Sequence, residues 1–172
     1  MLIGVLFAVS TGILIAAIGP VNAVLNNRIG TWNAVALIHL IGLLVATGGI
    51  LLFDSQKRIL PDGLDLRYLL MPGLLLLAVV LWWVFDNGYL SGVPAYGLIG
   101  GVLGVLVVIG TIGAINRLGV LGALTVIVSS QLLAASLIDH YGWFGQPIVP
   151  LGPGRVLGLL GMLLGVVLVL RS

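Results

Sequence analysis

The chain has 172 residues, of which 60% are hydrophobic and 7% charged: seven Lys or Arg, five Asp and no Glu. A water-soluble domain of this length cannot solvate such a surface, so a soluble enzyme is excluded, and a net charge of +2 built from so few charges excludes a nucleic-acid surface as well. The absence of Cys removes disulfides, thiolate nucleophiles and thiolate metal sites.

A membrane-crossing helix needs roughly 20 mostly apolar residues at about 1.5 Å each. In chain order six segments meet that measure: Leu2 to Leu25, Trp32 to Phe53, Leu66 to Phe85, Ala95 to Ile115, Leu118 to Ile138 and Val156 to Leu170. The first lacks the basic start and small-residue cleavage site of a secretory signal, so it reads as a retained span with no soluble domain before it. The last is short and is expected to tilt or to end near an interface. Turn formers or charges separate the six, at Asn26 to Thr31, Asp54 to Asp65, Asp86 to Pro94, Asn116 to Gly119 and Asp139 to Arg155. No linker can house a further domain. The expectation is therefore an all-α, polytopic transmembrane helix bundle, a single domain over residues 1–172 whose principal surroundings are membrane lipid. The Pro- and Gly-rich Asp139 to Arg155 stretch reads as a structured surface loop, with Trp143 and Phe144 at headgroup level.

Cytoplasmic loops retain positive charge. With six spans, Lys57, Arg58, Arg67, Arg117 and Arg171 share one side, and Arg28 and Arg155 the other, which places both termini in the cytoplasm. Without Leu66 to Phe85 the division is four against three and either orientation is allowed. Six is preferred because no charge interrupts Leu69 to Phe85, and Pro72 near its start is tolerated in a membrane helix.

Helices in lipid associate through small residues that let backbones approach. Such residues recur as Gly4, Ala8, Gly12 and Ala16 on the first segment, as Gly97 with Gly101 and Gly100 with Gly104 on the fourth, and as Gly154, Gly158, Gly161 and Gly165 along the last. Spacing alone does not decide between bundling within one chain and a seam between chains.

Polar residues at membrane depth are costly unless they face an interior or water. After Gly19 and Pro20, which remove a backbone hydrogen bond, come Asn22, Asn26 and Asn27, either amides beside a broken helix of a substrate site or caps on an ordinary kink. On the fifth segment, at about 100° per residue, Thr125, Ser129, Ser136, Asp139 and His140 fall on about a third of the circle. That stripe is either one side of a solute path or a set of interhelical hydrogen bonds with an interfacial Asp and His. Gln131 points away from it. His39 within the second segment and Asp86 at the end of the third are gate or proton-carrier candidates, or a packed His and a helix-ending turn. Ser136, Asp139 and His140 do not make a hydrolase triad, since adjacent helical residues diverge and no nucleophile elbow is present. No Walker A motif occurs, and two His without flanking carboxylates do not make a metal centre, so neither enzyme activity nor a cofactor is expected.

The run Gly-Pro-Val-Asn-Ala-Val-Leu-Asn-Asn-Arg-Ile-Gly ending at Gly30 resembles the first-helix signature of the YdcZ-like inner-membrane exporters. Arg117-Leu118-Gly119, Gly122-Ala123-Leu124-Thr125, Ser130-Gln131-Leu132-Leu133-Ala134 and Ile138-Asp139-His140-Tyr141-Gly142 resemble the family's second signature, and Arg155 to Leu170 its closing helix. Ser130 stands where the family has Gly before Gln. The resemblance covers nearly the whole chain except the third segment, which looks like one helix added to five. It implies a DMT-like fold (the drug/metabolite transporter superfamily), a bacterial inner-membrane location and assembly in pairs, because the family is laid out as half of a ten-helix transporter. The first-helix Glu that couples protons in the small multidrug-resistance branch has no counterpart here.

The resulting expectation is a homo-oligomeric transporter or exporter of a small solute, dimeric by preference, working by alternating access. Its substrate-contacting residues are expected to be Asn22, His39, Ser136, Asp139 and His140, with Asn26, Asp86, Thr125, Ser129 and Gln131 as secondary polar positions. A passive channel and a non-transporting scaffold subunit are the alternatives.

Overall fold

The computed structural model of the chain describes residues 1–53, 66–88 and 90–171, with side chains in the third helix from residue 70 onward. Among these residues there are five α-helices and no strands: α1 (Leu2–Ile29), α2 (Thr31–Phe53), α3 (Leu66–Asp86), α4 (Gly100–Tyr141) and α5 (Pro153–Arg171), with 3-10 turns at Ala95–Leu98 and Trp143–Gly145. The expected Asp54 to Asp65 linker, with Lys57 and Arg58, lies outside the described residues.

The all-helical expectation holds, and α1, α2, α4 and α5 are each long and apolar enough to cross a membrane. The third expected segment forms α3, 21 residues from Leu66 to Asp86. The expected fourth and fifth segments lie on one element, α4, whose 42 residues are broken at Gly119 (φ 71°, ψ 170°). The linker expected at Asn116 to Gly119 thus contracts to a single residue. Arg117 stays helical, where its guanidinium donates to the Gly113 carbonyl at 2.9 Å and lies 5.0 Å from the centre of the Phe7 ring.

A similar contraction occurs after α1. Pro20 sits inside the helix, which continues through Asn22, Asn26 and Asn27 to Ile29, so these asparagines are helical residues rather than a linker. The helix stops at Gly30, whose positive φ (82°) lets its N–H reach the Asn26 carbonyl at 2.9 Å. A left-handed residue at this position satisfies carbonyls that the helix leaves without donors. The Gly30 carbonyl in turn accepts from Ala34 N–H at 2.9 Å, starting α2 at once.

The chain divides into two compact units. The first comprises Met1–Val24 and residues 106–172 and is built on Ala8, Ala114, Ala123, Val126 and Ile127. Here the small-residue spacing of α1 is used within the chain: Gly4, Ala8, Gly12 and Ala16 are all buried. A Cβ on Gly12 would overlap the Ser130 hydroxyl and the Ile127 carbonyl. Gly113 likewise leaves room for the Phe7 ring. By contrast, Gly154, Gly158, Gly161 and Gly165 of α5 meet nothing within 4 Å.

The second unit, Leu25–Val105, has its core at Leu25, Ala34, Leu37, Leu77, Leu81 and Leu90, with α2 packed on α3. Gly101 approaches α2 so closely that a Cβ there would overlap the Ile38 carbonyl and come within 2.7 Å of the Gly42 nitrogen. Large apolar side chains face outward in both units, among them Leu75, Val79 and Trp82 on α3 and Leu157, Leu164 and Leu168 on α5. Contiguous faces of this kind suit hydrocarbon and not water.

Candidate functional site

The C-terminal end of α4 gathers three of the five primary candidates, Ser136, Asp139 and His140. Asp139 Oδ2 lies 3.8 Å from Arg155 Nη1 near the start of α5, with both side chains about half exposed (47% and 48%). The Asp139 carbonyl accepts from Val149 N–H at 2.8 Å, and His140 Nδ1 accepts from Leu151 N–H at 3.3 Å. With Nδ1 accepting, a neutral His140 ring carries its proton on Nε2. The loop can return this way because Gly142 (φ 65°) and Phe144 (φ 58°) adopt left-handed backbone around the Trp143 turn. Tyr141 meets the edge of His140 at 4.8 Å and stacks on Trp143 at 5.6 Å. Such an end offers a carboxylate, a guanidinium, an imidazole and two aromatic faces at one level of the molecule.

The hydroxyl stripe leading to it is partly spent on its own helix. Ser136 Oγ donates to the Leu132 carbonyl and Thr125 Oγ1 to the Leu121 carbonyl, each at 2.7 Å. Thr125 and the buried Ser129 line an open groove of about 460 Å³ whose other walls are apolar residues such as Met162, Val166 and Val169. Gln131 is half-buried. On α1, Asn22 presents a buried Oδ1 with no hydrogen-bond partner among the described residues. A buried orphan acceptor is costly in a finished core and is commonest where water or a ligand completes the site.

The remaining candidates lie in the other unit. His39 is exposed, and its ring Nδ1 lies 2.8 Å from the Val35 carbonyl, which an Nδ1–H satisfies as an ordinary helical contact. Asp86 is exposed at the last residue of α3, and Asn26 Nδ2 approaches Asn27 Oδ1 at 3.4 Å. The structure thus groups Ser136, Asp139 and His140 at one helix end, and His39 belongs to the other unit.

It shows instead a cavity of about 480 Å³ in the second unit that sequence reasoning missed. Its walls are Arg28 and Ile29 at the end of α1, Asn33, Ala36, Leu37 and Leu40 on α2, Trp83 and Val84 on α3, and Leu90. Asn33 Nδ2 donates to the Ile29 carbonyl at 2.8 Å, fixing the corner between α1 and α2. In the sequence, Arg28 stands out as a charge for orientation and as part of the run that ends at Gly30, not as a wall of a cavity. The signal that could have found the cavity is the Asn-Asn-Arg run followed, five residues after Arg28, by Asn33 at the start of the next apolar segment.

The model of the family described as "Putative inner membrane exporter, YdcZ" matches residues 66–168. The chain belongs to the YdcZ family. The matched stretch begins at α3, so the helix expected to be an addition falls inside the shared family region, and the Gly-Pro-Val-Asn-Ala run of α1 falls outside it. No curated protein and no solved structure matches the chain. Membership in this family and the apolar helices make the chain a membrane protein and support a transport role.

Proposed function

We propose that this YdcZ-family chain exports a small solute across the bacterial inner membrane by alternating access within a homo-oligomer, with the layout of the DMT superfamily. The observation that carries the reading is the family match over 66–168, which spans the apolar helices α3 and α5 and the broken helix α4. Alternating access needs bodies that move as wholes, and two compact units with separate cores supply a division of that kind. In this reading α4 crosses twice, because 42 helical residues would extend roughly 63 Å, about twice the hydrocarbon thickness, if Gly119 did not break them. With α3 crossing as well, the count is six, and the distribution of Lys and Arg then puts both termini in the cytoplasm. Asp139, His140 and Ser136 form the polar end of the solute path, and Asn22 provides an acceptor for a solute group or water. The exposed glycine face of α5 supports assembly between chains, which a small bundle needs to enclose a gated site.

Reconstituted liposomes test it. Countersubstrate should accelerate labelled-solute flux if the protein is a carrier. Flux indifferent to countersubstrate would replace the carrier by a channel, and no flux for any solute that binds would leave a scaffold role.

A further inference from the structure

We propose that the cavity bounded by Arg28, Asn33, Ala36, Leu40 and Trp83 binds small organic anions: solutes with an apolar, preferably aromatic body and one carboxylate or comparable anionic group. The identification of the ligand as a transported solute rests on the exporter reading; the binding itself does not. Three observations point to this chemistry. The volume, about 480 Å³, lies within the ordinary range for sites that hold small molecules. The lining is mainly aliphatic and indole surface, with a guanidinium and an amide as its polar members. That combination, an open apolar hollow with a few polar groups at its wall, fixes the orientation of an amphiphilic ligand.

The sign of the charge follows from what surrounds Arg28. Among the described residues the ion pair present is Asp139 with Arg155, and no carboxylate pairs with Arg28. Asp86, the acid that ends α3, does not line the cavity. The Arg28 guanidinium lies beside Gly92, where a Cβ would come within 3.7 Å of Nη1. Among the described residues, no acidic side chain lines this cavity. An Arg beside apolar walls favours an anion that can take paired N–H donors, and it repels a cation. Arg28 also sits in the last turn of α1, where a cation complements the helix dipole. That explains a basic residue at this position but not its place in the wall of a cavity.

Equilibrium dialysis against the purified full chain in neutral detergent, corrected for empty micelles, tests the proposal with three matched probes: 2-naphthoate, 2-naphthylmethanol and 2-naphthylmethylammonium. Saturable binding is expected for 2-naphthoate, weaker binding for the alcohol and none for the amine. Arg28→Gln should weaken 2-naphthoate by at least about tenfold, the factor carried by one lost charge-assisted hydrogen bond, while leaving the alcohol within about twofold. Arg28→Lys should retain an intermediate affinity, Ala36→Phe should abolish binding of both probes by filling the cavity, and Arg171→Gln should change neither. If Arg28→Gln fails to fold, the wild-type ranking of the three probes and the Ala36→Phe result decide. Equal binding of acid and alcohol, no saturable 2-naphthoate binding, or an unaltered Arg28→Gln would overturn the inference. Displacement of 2-naphthoate by phosphatidylglycerol but not phosphatidylcholine would assign the site to lipid headgroups and overturn it as a solute site. Binding without flux in liposomes would defeat the exporter reading and leave the anion site standing; flux of neutral or cationic solutes without 2-naphthoate binding would do the reverse.

Discussion

Gly12 and Gly161 are both helical glycines in small-residue series, yet a methyl group would meet different surroundings at each. On Gly12 it would overlap the Ser130 hydroxyl and the Ile127 carbonyl and lie 2.8 Å from the Gln131 nitrogen, whereas on Gly161 it would meet nothing within 4 Å. Overpacking of a tight contact costs about 1–3 kcal/mol. Gly12→Ala should therefore lower the thermal transition of the detergent-solubilised protein and its folded yield, and Gly161→Ala should leave both at the wild-type level; equal tolerance would mean that α1 does not pack on this part of α4. Asp139 allows a sharper separation of role from stability. Its pairing with Arg155 at 3.8 Å is half exposed, and such pairs contribute about 0–1 kcal/mol. Asp139→Asn is expected to fold normally and to reduce solute flux severalfold, as are His140→Gln and Asn22→Ala. Wild-type flux in all three, with an identified substrate, would make the α4 end structural. Asp62→Asn is the control outside the described residues.

At the scale of the element, the break in α4 rests on Gly119. Its φ of 71° with ψ of 170° belongs to a region that is essentially reserved for glycine, and a side chain forced into it costs about 1–3 kcal/mol. No neighbouring atom lies within 4 Å of a Cβ built there, so the penalty is conformational and not a clash. Gly119→Ala should depress the folded yield, while Gly122→Ala, whose added Cβ would find ordinary contacts at 3.4 and 3.6 Å, should be tolerated. Fluorescence-detected size exclusion of the two variants makes the comparison. If Gly119→Ala elutes as the wild type does, the break does not depend on glycine.

For the whole molecule, the proposed topology and assembly each have a direct test. A reporter fused after Ser172 should be active in the cytoplasm and a tag at Ser91 should be accessible from the periplasm. Periplasmic activity of the first, or cytoplasmic labelling of the second, refutes six spans. Native mass measurement in detergent and in lipid should give at least twice the 17.9 kDa of one chain. A strictly monomeric particle that still transports would remove the oligomer from the mechanism.

Membrane residence and helical class were determined by the sequence itself, because hydrocarbon permits only a backbone that satisfies its own hydrogen bonds, and long apolar runs without charge declare that environment. Helix positions followed to within a few residues for the same reason: the expected Trp32 to Phe53 is α2 from Thr31, and Leu66 to Phe85 is α3. What hydropathy could not convey was how abruptly helices meet. Asn26 to Thr31 and Asn116 to Gly119 read as linkers by composition, yet one positive-φ glycine suffices at each. Tertiary structure alone separated the glycines that touch, Gly12 and Gly101, from those of α5 that do not, since periodicity gives a face and not its partner. It likewise decided which polar residues meet. Ser136, Asp139 and His140 were legible as a group because helical spacing is local, whereas the cavity of Arg28, Asn33 and Trp83 draws on three helices, and no spacing along one helix encodes a wall shared by several.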